Sequence, residues 1–183
     1  MSLVELIAQA DERGLAASGL ACLDRCVPLL GGDDEILRPL WASLSEGAGT
    51  GDWGEGLEQV RKKLDAAGSG DEAAVLAHRM LEAAPAERSP GVRVWADACS
   101  VASLQIHRLL DTAADDASSV AVRREGRTEG MSPLVAAELR RQITVLEVLA
   151  GHGPAGLRRA LEVSTEGRRV LRAVVSRRSR QQT

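Results

Sequence analysis

Residues 89–113 read SPGVRVWADACSVASLQIHRLLDTA. In this stretch Val92, Trp95, Cys99, Ala102, Ile106, Leu109 and Ala113 recur at intervals of three and four. That is the period that aligns side chains along one face of an α-helix. Ser89 followed by Pro90 has the form of an N-cap with proline at the first helical position, where a missing N–H costs nothing. The same pair recurs at Ser132-Pro133, and behind it Val135, Leu139, Ile143, Leu146 and Ala150 repeat in the same way. Composition extends the inference to the whole chain. The apolar fraction is 44%, carried mainly by Ala, Leu and Val, while Phe and Tyr are absent and Trp41, Trp53 and Trp95 are the only aromatics. Ala and Leu favour helices, and the aromatic residues that sheets favour are scarce. The expected fold class is all-α, with seven or eight antiparallel helices in a single bundle or in stacked helix hairpins.

The remaining elements follow from caps and breakers. Ser2 and Glu5 have capping-box spacing, predicting a helix over 3–13 that stops at Gly14. Leu20, Leu23, Val27 and Leu30 mark a second helix, which Pro28 should kink or end. Gly31-Gly32 is a break, Asp33 a candidate N-cap, and Pro39 should separate a short turn from a helix carrying Leu40, Trp41 and Leu44. Residues 47–56, GAGTGDWGEG, read as a loop, followed by a helix over 55–67 and another from Asp71 that ends before Pro85. The polar connection 115–131 is long enough to imply mobility or function. Gly151-His152-Gly153-Pro154 is a tight break before a last helix over 155–175, with Leu157, Leu161, Ser164, Leu171 and Val174 facing inward. Residues 176–183, SRRSRQQT, are expected to form a disordered basic tail. The length of 183 residues fits one domain over 1–175, with a sub-division near 85–90 as the alternative.

Two segments are similar to the second helix of a tetratricopeptide repeat: Gly51-Asp52-Trp53 leading to Leu57, Val60 and Leu64, and Asp71-Glu72-Ala73 leading through Ala77, Met80 and Leu81 to Pro85. The first-helix pattern of that repeat is missing, Gly47 and Gly49 sit where it would continue, and Lys63 replaces a small residue. The similarity therefore implies only stacked helix hairpins, which can present extended binding surfaces.

Charge is divided unevenly. Residues 1–120 hold 20 Asp/Glu and 10 Lys/Arg, a net of −10, whereas residues 121–183 hold 6 Glu and 13 Arg, a net of +7. Such asymmetry points to a charged partner or to one half binding the other, within a chain or between two copies. Only Lys62 and Lys63 are lysines, a bias that fits a GC-rich, bacterial genome as well as phosphate or carboxylate recognition by arginine. No secretory signal pattern and no apolar run of about 18 residues is present, and three cysteines do not make a disulfide framework. The expected location is cytoplasmic, with no membrane contact.

Chemistry-bearing motifs are sparse. Gly49, Gly51 and Gly54 match GxGxxG, but the residues before them read as helix, and Asp52 would repel a pyrophosphate. Cys22 and Cys26 share a helix face and could join Cys99 with His78 or His107 as zinc ligands. Buried core cysteines are the simpler reading. His152 lies at a helix C-terminus, where a cation is favourable; Asp33, Asp34 and Glu35 suit a helix N-terminus, and Asp115-Asp116 read as solvated loop. No nucleophile, metal or cofactor motif emerges, so no catalytic residue, cofactor or metal is expected.

The expected function is a non-enzymatic protein–protein interaction domain of the adaptor, inhibitor (immunity-type) or regulatory-subunit kind, its partner another protein or a second copy in a homodimer. One alternative is a nucleic-acid-associated regulator using the C-terminal arginines. Another is an enzyme or small-ligand protein with a site between helices. Trp53, taken as exposed in its glycine-rich loop, is the expected partner anchor, since Trp is enriched in binding hot spots. Arg168, Arg172, Arg177 and Arg178 are the other candidate partner-binding residues, left basic if Arg158–Glu162 and Glu166–Arg169 pair locally.

Overall fold

A computed structural model describes residues 1–49, 51–64, 71–113 and 119–183. The described residues are helical throughout their regular structure, with nine α-helices and no strand. These are α1 (Leu3–Gln9), α2 (Glu12–Arg25), α3 (Arg38–Ser43), α4 (Asp52–Leu64), α5 (Glu72–Glu82), α6 (Val92–Leu110), α7 (Val120–Arg124), α8 (Pro133–Gly151) and α9 (Gly153–Gln181), with a 3₁₀ turn at Val27–Leu29.

α2 is the axis of the molecule. Every residue from Gly14 to Arg25 is buried, and the helix packs against α6, α8 and α9, with α3 and α5 at its flanks. A helix buried on all sides must accept neighbours at short range, and its Ala16, Ala17, Gly19 and Ala21 allow that. At Gly19 the indole of Trp95 lies so close that an added Cβ would stand 2.7 Å from its Cζ3. Trp95 in turn meets Trp53 edge to face, with ring centroids 5.7 Å apart and planes at 71°. Each indole N–H is satisfied: Trp95 Nε1 donates to the Met80 carbonyl (2.9 Å), Trp53 Nε1 to the Pro85 carbonyl (2.8 Å) and Trp41 Nε1 to Asp24 Oδ2 (2.8 Å). Burying an indole with its N–H paired keeps the apolar gain without stranding a donor.

Several local expectations agree with the structure. Ser2 and Glu5 form the capping box, Pro39 lies at the start of α3, Asp71 precedes α5, and Ser132 is the N-cap residue of α8 with Pro133 behind it. Others are corrected. The first break falls at Ala10 rather than at Gly14, because the Asp11 carboxylate accepts the Gly14 N–H (2.7 Å) and starts α2 there. α6 begins at Val92 with Gly91 as N-cap, since a turn closed by Val92 N–H on the Arg88 carbonyl (2.9 Å) occupies the Ser89-Pro90 positions. α4 begins at Asp52, within the expected loop, because Trp53, Leu57, Val60 and Leu64 form a buried stripe that rewards early helix formation. Leu109 and Leu161, expected inward, are 40% and 37% exposed. The tail over 176–183, expected to be disordered, continues α9 as helix to Gln181. Asp115 and Asp116, and the end of the helix expected over 55–67, lie outside the described residues.

Candidate functional site

A polar centre lies inside the bundle, built by α2, α6 and α8. Glu138 of α8 is fully buried and receives the guanidinium of Arg25 of α2 in a two-pronged pair, Nε to Oε2 at 2.8 Å and Nη2 to Oε1 at 2.7 Å. Ser103 of α6 donates to Oε1 (2.8 Å), as does Gln142 Nε2 one turn along α8 (2.9 Å). Gln142 Oε1 accepts from Ser100 (2.6 Å), whose hydroxyl also receives Arg124 Nε of α7 (3.1 Å); Arg124 extends to Asp97 at the surface. His107 completes the cluster. Its Nδ1 stands 2.7 Å from the Ser103 carbonyl, which can only accept, and its Nε2 faces Glu138 Oε2 at 3.5 Å.

The electrostatics follow from burial and pairing. Burial alone would raise the Glu138 carboxyl, but the Arg25 charge, then His107 and the hydrogen bonds from Arg25 and Gln142, bring it down to about 2. Burial opposes the charge on Arg25, and Glu138 more than offsets that, leaving Arg25 above its ordinary value. Burial holds His107 below its usual value, with Arg25 and Arg141 acting in the same direction, although Glu138 and the Ser103 carbonyl act against it. Burial pushes the Cys22 thiol up to about 12 and raises Cys26 and Cys99 as well, so all three buried cysteines are held as thiols. Beside this cluster lies a cavity of about 10 Å³, room for about one water, lined by Cys22, Arg25, Ser100 and Gln142 under Leu3 and Ile7 of α1.

Sequence reasoning missed this centre, although it left a trace. Ser100, Ser103 and His107 recur at three and four residues on α6, and Glu138 and Gln142 at four on α8. Two polar stripes set within apolar helices are the signature of a buried polar seam.

The expected partner residues are divided by the structure. Trp53 is 2% exposed, so its expected exposure is corrected: it is a core residue of α4 packed on Trp95. Arg168 is likewise buried, ion-paired with Asp24 of α2, and Arg172 pairs with Asp34 in the turn before α3. Burial holds Asp24 above its ordinary value despite Arg168 and Trp41. Arg178 lies 3.6 Å from Asp71 at the start of α5. Part of the acidic front and the basic end thus meet inside one chain. The local pair on α9 is Arg159–Glu162 (3.1 Å) in place of the expected Arg158–Glu162.

Arg177 remains exposed, and no described ion pair involves it. It borders a surface groove of about 540 Å³ where the end of α6, the start of α8 and the last turns of α9 meet. Leu109, Leu134 and Val174 give the groove apolar lining, and Arg177 and Arg178 form its basic side.

His78 is half-buried on α5, and His152 is exposed between α8 and α9. Among the described residues no group of three or more His, Cys, Asp or Glu side chains is placed to hold a metal. Gly49 and Gly54 flank the start of α4 with no strand before them, and the Asp52 carboxylate takes the Gly49 N–H (2.7 Å). No helix among the described residues is long and apolar enough to cross a membrane. No family model, curated protein or solved structure matches the chain significantly.

Proposed function

We propose that this chain is a non-enzymatic helical protein-interaction domain acting as an adaptor, inhibitor or regulatory subunit. The observation that carries the reading is the contrast between interior and surface. Inside, Arg25, Glu138, Ser103 and Gln142 satisfy one another beside space for about one water. A cluster so closed supports a structural role, since catalytic groups must reach a substrate. Outside, a groove of about 540 Å³ combines an apolar floor with Arg177, which no described ion pair involves, the mixture that partner surfaces use. The test is a tagged pull-down from the native host, with and without nuclease. A stoichiometric protein partner that survives nuclease is the expected result; recovery of the bait alone refutes the reading.

One observation favours a second reading, a nucleic-acid-associated regulator. Arg169, Arg177 and Arg180 are exposed on α9, and no described ion pair involves their side chains. This reading expects binding to duplex DNA or RNA that weakens steeply with salt and disappears when the three are replaced by Ala. Its weakness is that Arg168, Arg172 and Arg178 are directed at Asp24, Asp34 and Asp71 of the same chain.

A further inference from the structure

We infer that the groove between the ends of α6, α8 and α9 docks an acidic segment of a partner protein through carboxylates placed against Arg177 and aliphatic side chains placed on Leu109 and Leu134. The inference rests on the interaction-domain reading and deepens it by naming the surface and the chemistry of its occupant.

Three features of the groove select that chemistry. Its floor is apolar and open: Leu109 is 40% exposed and Leu134 half-buried, on helices whose other leucines serve mainly the core. Its wall is basic, and the charge is available. Residues 167–183 hold six arginines and no acid, and three of the six are directed at Asp24, Asp34 and Asp71. Arg177 has no such partner among the described residues and lines the groove.

The third feature is what happens to Asp111, the acid among the described lining residues. Its Oδ2 accepts the Leu134 N–H (2.8 Å) and its Oδ1 the Ala113 N–H (2.9 Å). The carboxylate is therefore engaged at the N-terminus of α8, where the helix dipole offsets part of its charge, and no described ion pair joins it to Arg177. Ser132, in the N-cap position, makes no side-chain cap bond itself. Among the described residues, the groove presents an apolar floor beside a guanidinium that no described ion pair involves.

Charge complementarity selects an acidic occupant, and the floor selects one with aliphatic side chains. A nucleic acid would satisfy Arg177 but leave the floor without a counterpart, and the lining has no aromatic ring on which a base could stack. The groove volume lies within the range of specific binding clefts, roughly 300–1,000 Å³.

The experiment is selection of random displayed peptides on the full-length protein, then fluorescence anisotropy with the best peptide as the probe. The expected pool is enriched in Asp and Glu together with Leu, Ile or Val. Arg177→Glu and Leu109→Asp should each weaken the probe by about tenfold or more. Arg169→Glu, on the same helix but outside the groove, should leave it nearly unchanged. All three side chains are exposed, and unchanged helical circular dichroism and melting show that the fold is intact. A pool without acidic enrichment, or equal loss in all three variants, overturns the inference. So does a dimer in light scattering that Leu109→Asp returns to monomer, which assigns the groove to a second copy. Duplex DNA displacing the probe through Arg169 as well as Arg177 overturns it in favour of the nucleic-acid reading. A pull-down partner whose binding survives both groove variants removes this inference and leaves the interaction-domain reading standing; a pull-down that recovers only bait removes that reading.

Discussion

Glu138 accepts four hydrogen bonds from three side chains on three helices: two from Arg25, one from Ser103 and one from Gln142. Removing one member of a buried pair strands its partner's charge, which costs about 3–5 kcal/mol. Glu138→Leu is therefore expected to lower stability by about that amount in urea unfolding. The double variant Arg25→Met/Glu138→Leu should lose less than Glu138→Leu alone, because both buried charges are then gone. A single variant within about 1 kcal/mol of the parent would contradict the centre as described. Trp53 gives a second residue-level expectation. Buried against Trp95 with its N–H on Pro85, it should cost about 3–5 kcal/mol when truncated to Ala, read as a lower urea midpoint. Were it an exposed anchor, the same change would leave the midpoint nearly unmoved.

At the scale of elements, α9 is fixed to α2 by close approach and by charge. Gly167 faces Arg25 so closely that a Cβ would stand 2.5 Å from its Cδ and 2.9 Å from Cδ of Arg141. Arg25 cannot retreat without loosening its hold on Glu138, so Gly167→Ala should destabilise by about 1–3 kcal/mol despite the better helix propensity of Ala. A stabilised variant in thermal unfolding would show that the helices have room to part. The arginines of α9 should also rank by burial. Arg168→Ala leaves Asp24 buried and unpaired and is expected to cost about 3–5 kcal/mol, whereas Arg172→Ala, on a half-exposed pair with Asp34, should cost less than about 1 kcal/mol. Equal losses in parallel urea titrations would mean that burial does not set the difference.

For the whole molecule, the polar centre makes stability depend on pH. His107 is faced by the Ser103 carbonyl, Glu138, Arg25 and Arg141, and its folded value lies below the ordinary 6.5. The unfolded chain takes up this proton first, so the stability that neutral His107 contributes is present above about pH 6.5 and is lost as pH falls below it. Glu138 acts in the same direction lower down: its contribution is present above its ordinary 4.5 and is lost as pH falls toward about 2. Asp24, raised above 3.8 by burial, works in the opposite sense across its own range. Unfolding free energies from urea titrations taken downward from pH 6.5 should fall for the parent protein, by no more than about 1.4 kcal/mol per pH unit for one proton. His107→Gln should flatten that slope; an unchanged slope would mean that His107 is not the group responsible.

The all-helical class, the capping box at Ser2 and Glu5, and the proline-led starts of α3 and α8 were legible in the sequence by itself, because helix period and cap chemistry act over three or four neighbouring residues. So was the opposition between an acidic front and a basic end. Which side of that opposition each arginine serves was decided by tertiary structure. Arg168 and Arg178 look alike in sequence, yet one is buried on Asp24 and the other borders a surface groove. Trp53 follows the same logic: its local glycines suggest a loop, and its burial comes from Trp95, distant in the chain. The polar centre shows it most fully, since Arg25 and Glu138 stand 113 residues apart and nothing in local periodicity says that their helices will cross. Local sequence determines which helices form; only their packing determines which charges are withdrawn from water and which are left for a partner.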